Sequence, residues 1–305
     1  MPPFTTAGRR ARGFGEAHRF GWIAAVASGR MAPLRAGGPA ITVSSAPPAS
    51  VAAPPKAGAR GRISLAMTLV QMLFGWSFTF AWSILAITVS LITLGRFSAW
   101  LTPAFLRIWS RIMLFIQRVD LYIEGGEHVR ERKMRVVVFN HTSLLDAMIV
   151  TALQPSGGVP CIKREVLRIP LVGVALWALG FLLIDRGHTD KAKRVLARAT
   201  DRMARERLSV IIAPEGTRNA SAELLPFKKG AFHIAKASGA PIVLMLIDGA
   251  GDTHPLGSPV SHPGLVRVRF LPPIDSDDIE VEALSAQVRA AMIEGLAEMR
   301  QRGGP

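Results

Sequence analysis

Thirty-three consecutive residues, Ile63 to Gly95, contain no charged side chain. A bilayer span needs about 20 predominantly apolar residues, and a soluble core helix seldom runs much longer, so the stretch reads as membrane-inserted. As one straight helix it would measure about 50 Å, against roughly 30 Å of hydrocarbon. Tilt, a shorter span with loose ends, or a re-entrant helical hairpin could absorb the excess. Arg60 and Arg62 precede the run; Arg96, Arg107, Arg111 and Arg118 follow it. Basic flanks prefer the cytoplasmic side, so cations at both ends favour a hairpin over a single span.

Residues 97–119 continue an apolar stripe through Phe97, Trp100, Leu101, Phe105, Ile108, Ile112, Phe115 and Ile116, with arginines beside it. That pattern suits a helix lying in the headgroup zone, or equally one packed on a globular domain. Upstream, residues 1–62 hold nine Lys/Arg against one acid and are rich in Ala, Pro and Gly. They contribute +8 of the formal +15 and read as a disordered basic tail, with a start at Met31 or Met67 as the competing reading. The expected organisation is a tail over 1–62, membrane-inserted and interfacial helices over 63–119, and a catalytic domain over 120–305.

A basic chain invites comparison with nucleic-acid binders, but the tail abuts a membrane segment and no groove-reading motif follows. The anionic partner is therefore read as membrane lipid. Cys161 is the only cysteine in the sequence, which excludes a disulfide scaffold. Beyond Val119, short apolar runs alternate with helical stretches. The pattern predicts strands at Leu121–Glu124, Val136–Phe139, Leu182–Ile184, Val210–Ala213, Ile242–Ile247 and Val266–Phe270. Helices are expected over 143–153, 189–207, 229–237 and 280–299. Strands separated by helices indicate an α/β domain, a mostly parallel sheet flanked by helices, whose working residues gather at strand ends.

The strand Val136–Phe139 runs directly into Asn140-His141-Thr142-Ser143-Leu144-Leu145-Asp146. On a regular helix His141 and Asp146 would sit about 140° apart. They meet only if His141 lies in the strand-to-helix turn, with Asp146 about one turn in and Thr142 or Ser143 as N-cap. A carboxylate beside an imidazole fixes its tautomer, so His141 is a candidate general base and Asp146 its partner. Glu215-Gly216-Thr217-Arg218 follows another strand, then Phe227-Lys228-Lys229-Gly230 opens a helix. Lys163-Arg164-Glu165 and Asp185-Arg186 add charge near two more apolar runs. Arg and Lys converging at strand ends suit a phosphate group. The sequence holds no G-x-S-x-G elbow, no Walker A loop and no His/Cys set with metal-ligand spacing. His188, His233, His254 and His262 read as surface or core residues.

These blocks, in this order over about 120–250, resemble the glycerolipid acyltransferase family, on the side of the 1-acylglycerol-3-phosphate acyltransferases. That family carries NHxxxxD, KxEL before an apolar stretch, FIDR, EGTR with a following FKxG, and a proline-containing apolar strand. Here they stand as Asn140–Asp146, Lys163–Val166, Leu183–Arg186, Glu215–Arg218 with Phe227–Gly230, and Ala240–Val243. Val166 replaces the usual Leu, and Leu244 stands where a second proline is common. The family's amino-terminal membrane helices match the apolar run. The resemblance implies that His141 deprotonates the hydroxyl of a lysophospholipid while Asp146 holds it, with direct attack on an acyl thioester. It makes Lys163, Arg186, Arg218 and Lys228 candidates for the phosphate, and Glu215, Gly216 and Thr217 candidates for the glycerol or for positioning. No cofactor or metal is expected. The donor is acyl-CoA or acyl carrier protein, and the catalytic domain faces the cytoplasm. A different lysolipid acceptor, such as a lyso-ornithine lipid, and a silent lipid-binding protein are the alternatives.

Overall fold

The computed structural model describes residues 41–43, 65–93, 98–130, 133–155, 157–184, 189–221, 223–259 and 261–302. Most of the expected tail, the basic residues Arg60, Arg62 and Arg96, and the Asp185-Arg186 pair lie outside the described residues.

The valine- and isoleucine-rich runs form the sheet that their continuous apolar character demands, since a parallel strand is covered on both faces. In chain order the strands are β1 (Ile41–Val43), β2 (Val119–Glu124), β3 (Val136–Phe139), β4 (Gly158–Lys163), β5 (Leu182–Ile184), β6 (Ser209–Ile212), β7 (Ile242–Asp248) and β8 (Gly264–Phe270). They lie side by side in the order β1-β2-β8-β7-β3-β6-β4-β5. Only the β7–β8 pair is antiparallel. β1, the one described piece of the tail, pairs with β2 along the sheet edge.

The helices are α1 (Leu65–Ile92), α2 (Ser98–Ile116), α3 (Glu127–Arg130), α4 (Leu145–Leu153), α5 (Val172–Ala178), α6 (Thr189–Glu206), α7 (Gly230–Ser238), α8 (Ala250–Thr253) and α9 (Val281–Arg302). Val136, Val138, Val210, Ile212, Ile242 and Leu244 point to one face of the sheet, where Met203 of α6, Phe232 of α7 and Leu284, Val288 and Met292 of α9 close one core. Val137, Phe139, Ile211, Val243 and Met245 point to the other, beneath Leu114 of α2 and Ile149 of α4. The alternation within each strand follows the period of two that pleated backbone imposes.

α1 is one unbroken helix, long and apolar enough to cross a membrane by length and composition. The apolar run therefore does not double back on itself. Its antiparallel partner is α2: Gly75 faces Met113, the Trp109 indole donates to Thr79 Oγ1 at 3.3 Å, and the Trp82 indole donates to the Phe105 carbonyl at 3.3 Å. α2 in turn packs on the α/β domain, where Ser110 hydrogen-bonds Thr151 and Arg107 donates to the Gln154 carbonyl at 3.4 Å. The packing expected as one of two placements is therefore seen for Ser98–Ile116.

β4 and α5 went unread in the sequence because Pro160 breaks the strand signal and α5 is only seven residues long. Pro160 is accommodated where β4 changes partners, pairing with β6 over residues 158–160 and with β5 over 161–163.

Candidate active site

The parallel strands deliver their ends to one level. Pro160 pairs with Ile211 and Val137 also pairs with Ile211, so Lys163, Pro214 and Asn140 each lie three residues further on. β3 and β6 are neighbours, which sets the Asn140 loop beside the Pro214 loop; β4 is about 10 Å from β3 at the usual strand spacing.

Asn140 fastens the first loop. Its carboxamide donates to the Ile247 carbonyl and accepts from the Ile247 N–H, both at 2.8 Å, so it is laced to β7 as a backbone would be. His141 comes next, before the helix begins. Its Nδ1 lies 2.8 Å from Asp146 Oδ2. The same oxygen accepts the backbone N–H groups of Thr142 at 2.7 Å and Ser143 at 2.8 Å. Asp146 is fully buried, whereas the His141 side chain keeps 22% of its surface exposed. A carboxylate accepts only, so Nδ1 carries the hydrogen and Nε2 keeps its lone pair. The pair has the geometry of a general base held by an acid residue.

The expected helix cap is corrected here. Leu144 occupies the N-cap and makes no side-chain capping bond. The capping runs from Asp146 back to the loop instead, because the carboxylate serves the loop N–H groups and the imidazole together. Ser143 Oγ accepts from the Leu145 N–H at 3.2 Å and donates to the His254 carbonyl at 2.8 Å.

The Glu215 loop grips the main chain of His141 from the neighbouring strand. Glu215 is buried; its Oε1 accepts the His141 N–H at 2.9 Å and its Oε2 accepts the Leu225 N–H at 3.0 Å. The Asn219 N–H donates to the His141 carbonyl at 2.8 Å. Gly216 has φ +75°, and a Cβ there would come within 2.9 Å of Lys228 Cε, so the lysine lies over the loop and glycine leaves it room. Lys228 is held from behind by its N–H, which donates to the Pro214 carbonyl at 2.8 Å. Thr217, Arg218 and Lys228 are exposed. Lys163 is exposed too and pairs with Glu165 at 3.1 Å. Thus Glu215, Gly216 and Lys228 gather around the His141 loop, Lys163 stands two strands away, and Arg186 lies outside the described residues. Among the described residues no group of three or more His, Cys, Asp or Glu could hold a metal ion.

One neighbour escaped the sequence reading. His254, just past α8, is buried; its Nδ1 sits 2.9 Å from Ser261 Oγ, and the Ser261 hydroxyl donates to Gln117 Oε1. The hydroxyl therefore accepts from Nδ1–H, which suits a neutral ring. Burial first, then the charges of Arg218 and His262, lower its pKa from 6.5, against an opposing pull from Asp146. In the unfolded chain His254 protonates first as pH drops, so folding stability is full above pH 6.5 and declines as pH falls through the lowered folded value. Urea unfolding across this window should show that decline, and His254→Gln should reduce its slope.

The acyltransferase family model matches residues 120–248, which covers β2 to β7 and both loops. A human 1-acyl-sn-glycerol-3-phosphate acyltransferase alpha is 32% identical over 200 residues, 63% of this chain and 71% of that protein. The chain belongs to the acyltransferase family. The 1-acyl-sn-glycerol-3-phosphate acyltransferase of Escherichia coli K12 is 35% identical to this acyltransferase over 167 residues, 54% of this chain and 67% of its own. That of Limnanthes douglasii is 34% identical over 178 residues, and the match spans 58% of this chain and 63% of the plant protein's length. The crystal structure of the 1-acyl-sn-glycerophosphate (LPA) acyltransferase PlsC from Thermotoga maritima shares the acyltransferase fold. It has a TM-score of 0.65 and 23% identity, and the match covers 77% of this chain and 95% of that one.

Proposed function

We propose that the chain is a 1-acylglycerol-3-phosphate O-acyltransferase, moving a fatty acyl group from an acyl thioester to the free hydroxyl of lysophosphatidic acid to give phosphatidic acid. The observation that carries the reading is the His141–Asp146 pair at 2.8 Å, with Nε2 left free at the strand ends beside the Glu215 loop. Nε2 takes the hydroxyl proton as the oxygen attacks the thioester carbonyl. The C–S bond then breaks and the imidazolium returns the proton to the departing thiolate. Asp146 stabilises the imidazolium in between. No acyl-enzyme and no resident cofactor enter these steps; acyl-CoA or acyl carrier protein is the donor substrate. Arg218, Lys228, Lys163 and Arg186 are the candidates for the acceptor's phosphate, where Arg offers a bidentate fork and Lys a point charge. Gly216 and Thr217 line the same loop.

A lysolipid is an amphiphile, so a site held at a membrane surface takes it directly from the leaflet. α1, with its outward row of Leu69, Leu73, Trp76 and Ile84 exposed, supports membrane lipid as a partner, and the arginines that follow the apolar run are the ground for placing the catalytic domain on the cytoplasmic face. The test is turnover by the purified full chain with lysophosphatidic acid, a lyso-ornithine lipid and other lysophospholipids, each with both donors. Acylation of lysophosphatidic acid above the others is the expected result. Turnover only with another lysolipid would reassign the acceptor, and none with any acceptor would leave a lipid-binding protein.

A further inference from the structure

Between β4 and β5 the chain makes a 3-10 turn, Arg164–Arg168, and then the short helix α5. The turn and helix are locked together. A Cβ at Gly173 would lie 2.5 to 2.7 Å from the Leu167 backbone, so only glycine permits this approach. Leu171, at the entry to α5, holds φ +61°, a backbone state a leucine rarely adopts. The locked segment turns apolar side chains outward: Leu171 is 39% exposed, Val174 52% and Trp177 68%, at spacings of three residues that place them on one side. A rigid row of this kind costs solubility unless something covers it.

Two observations say what covers it. First, α5 lies against the apolar helix α1. Ser90 Oγ donates to the Ala178 carbonyl at 3.4 Å, and Thr102 of α2 donates to the Leu179 carbonyl at 3.0 Å, so α5 abuts the helix pair whose outer surface exposes Leu69, Leu73, Trp76, Leu91 and Ile92. Second, Lys163, Arg164 and Arg168 are exposed at the head of the row, with Glu165 as the one acid of the turn. Apolar side chains and tryptophan edged by cations match an anionic phospholipid leaflet, tryptophan at headgroup depth and the basic side chains reaching to phosphates. A second copy of the chain would set the same cations against each other.

We infer that α5 is a membrane-docking surface in its own right: Leu171, Val174 and Trp177 enter an anionic leaflet while Arg164 and Arg168 engage its headgroups. β4 ends at the level of Asn140, so this contact brings the leaflet to the rim of the active site. The inference rests on the membrane placement proposed above.

The test uses the full chain with Cys161→Ser and one cysteine introduced by Trp177→Cys, Phe74→Cys on α1 or Glu294→Cys on α9, each carrying an environment-sensitive nitrobenzoxadiazole label. The vesicles contain phosphatidylcholine, phosphatidylglycerol and a nitroxide lipid labelled near the headgroup. A blue shift and loss of fluorescence at positions 177 and 74, and neither at 294, is the expected result. Quenching at 74 with a water-like label at 177 would overturn the inference and leave the membrane placement standing. Quenching at neither would overturn both. A blue shift at 177 that needs no vesicles and disappears on dilution would mark a second copy as the occupant and overturn it too.

Discussion

His141→Ala should lower kcat for acyl transfer by about 10²–10⁴, the range a positioned general base contributes, while urea unfolding changes little. The side chain is partly exposed and its removal leaves the lattice around it intact, because Asn140, Glu215 and Asn219 hold the main chain of the loop rather than the imidazole. Asp146→Asn should cost a similar factor for a different reason. With its NH2 at the Oδ2 position the amide can donate to Nδ1, which moves the ring hydrogen to Nε2 and leaves no lone pair at the reacting position, but it then faces the Thr142 and Ser143 N–H groups. With its oxygen there it keeps all three bonds but loses the charge that stabilises imidazolium. Unlike His141→Ala, this variant should also lose folding stability, because the fully buried group either sets its NH2 against two N–H donors or trades three bonds to a carboxylate for three weaker bonds to a neutral amide. Steady-state kcat beside urea midpoints for both variants separates the two roles. Full activity in His141→Ala would remove the catalytic assignment.

What the sequence made legible was whatever rests on local pattern. The runs Val136–Phe139 and Ile242–Ile247 are continuous and apolar because both faces of a parallel strand are covered, and that alone located the sheet. The requirement that His141 precede the helix followed from angles on a helix, and the structure meets it. Long-range relations left no such trace. Asn140 bonds to Ile247, 107 residues away, and nothing local marks that partner. Glu215 appeared as a charge at a strand end, yet it is buried and turned inward, because its acceptors are needed by backbone groups of two other segments. His254 looked like any isolated histidine until α8 folded its carbonyl over Ser143. The packing of α2 on α4 was one of two readings open to an amphipathic helix, and only tertiary contacts such as Ser110 with Thr151 decide it.

Glu215→Gln distinguishes a clamp from a substrate contact. Both carboxylate oxygens of Glu215 accept, one from His141 and one from Leu225, so each must be an acceptor. A glutamine supplies one oxygen and one NH2, and either orientation leaves an N–H facing an N–H inside the fold. A buried donor left unpaired costs about 1–3 kcal/mol. The variant should therefore unfold at lower urea, and because the lost bond falls on the backbone of His141 or the loop opposite, kcat should drop about tenfold to hundredfold for a displacement of the base of an ångström or less. KM for lysophosphatidic acid should move far less on the proposal that the exposed cations, not Glu215, hold the acceptor's phosphate. Glu215→Asp keeps two acceptors but falls a methylene short, so it too should lose kcat rather than KM. If Glu215→Gln instead raised KM with kcat and urea midpoint preserved, the carboxylate would be reaching the glycerol, and the grip on His141 would be incidental.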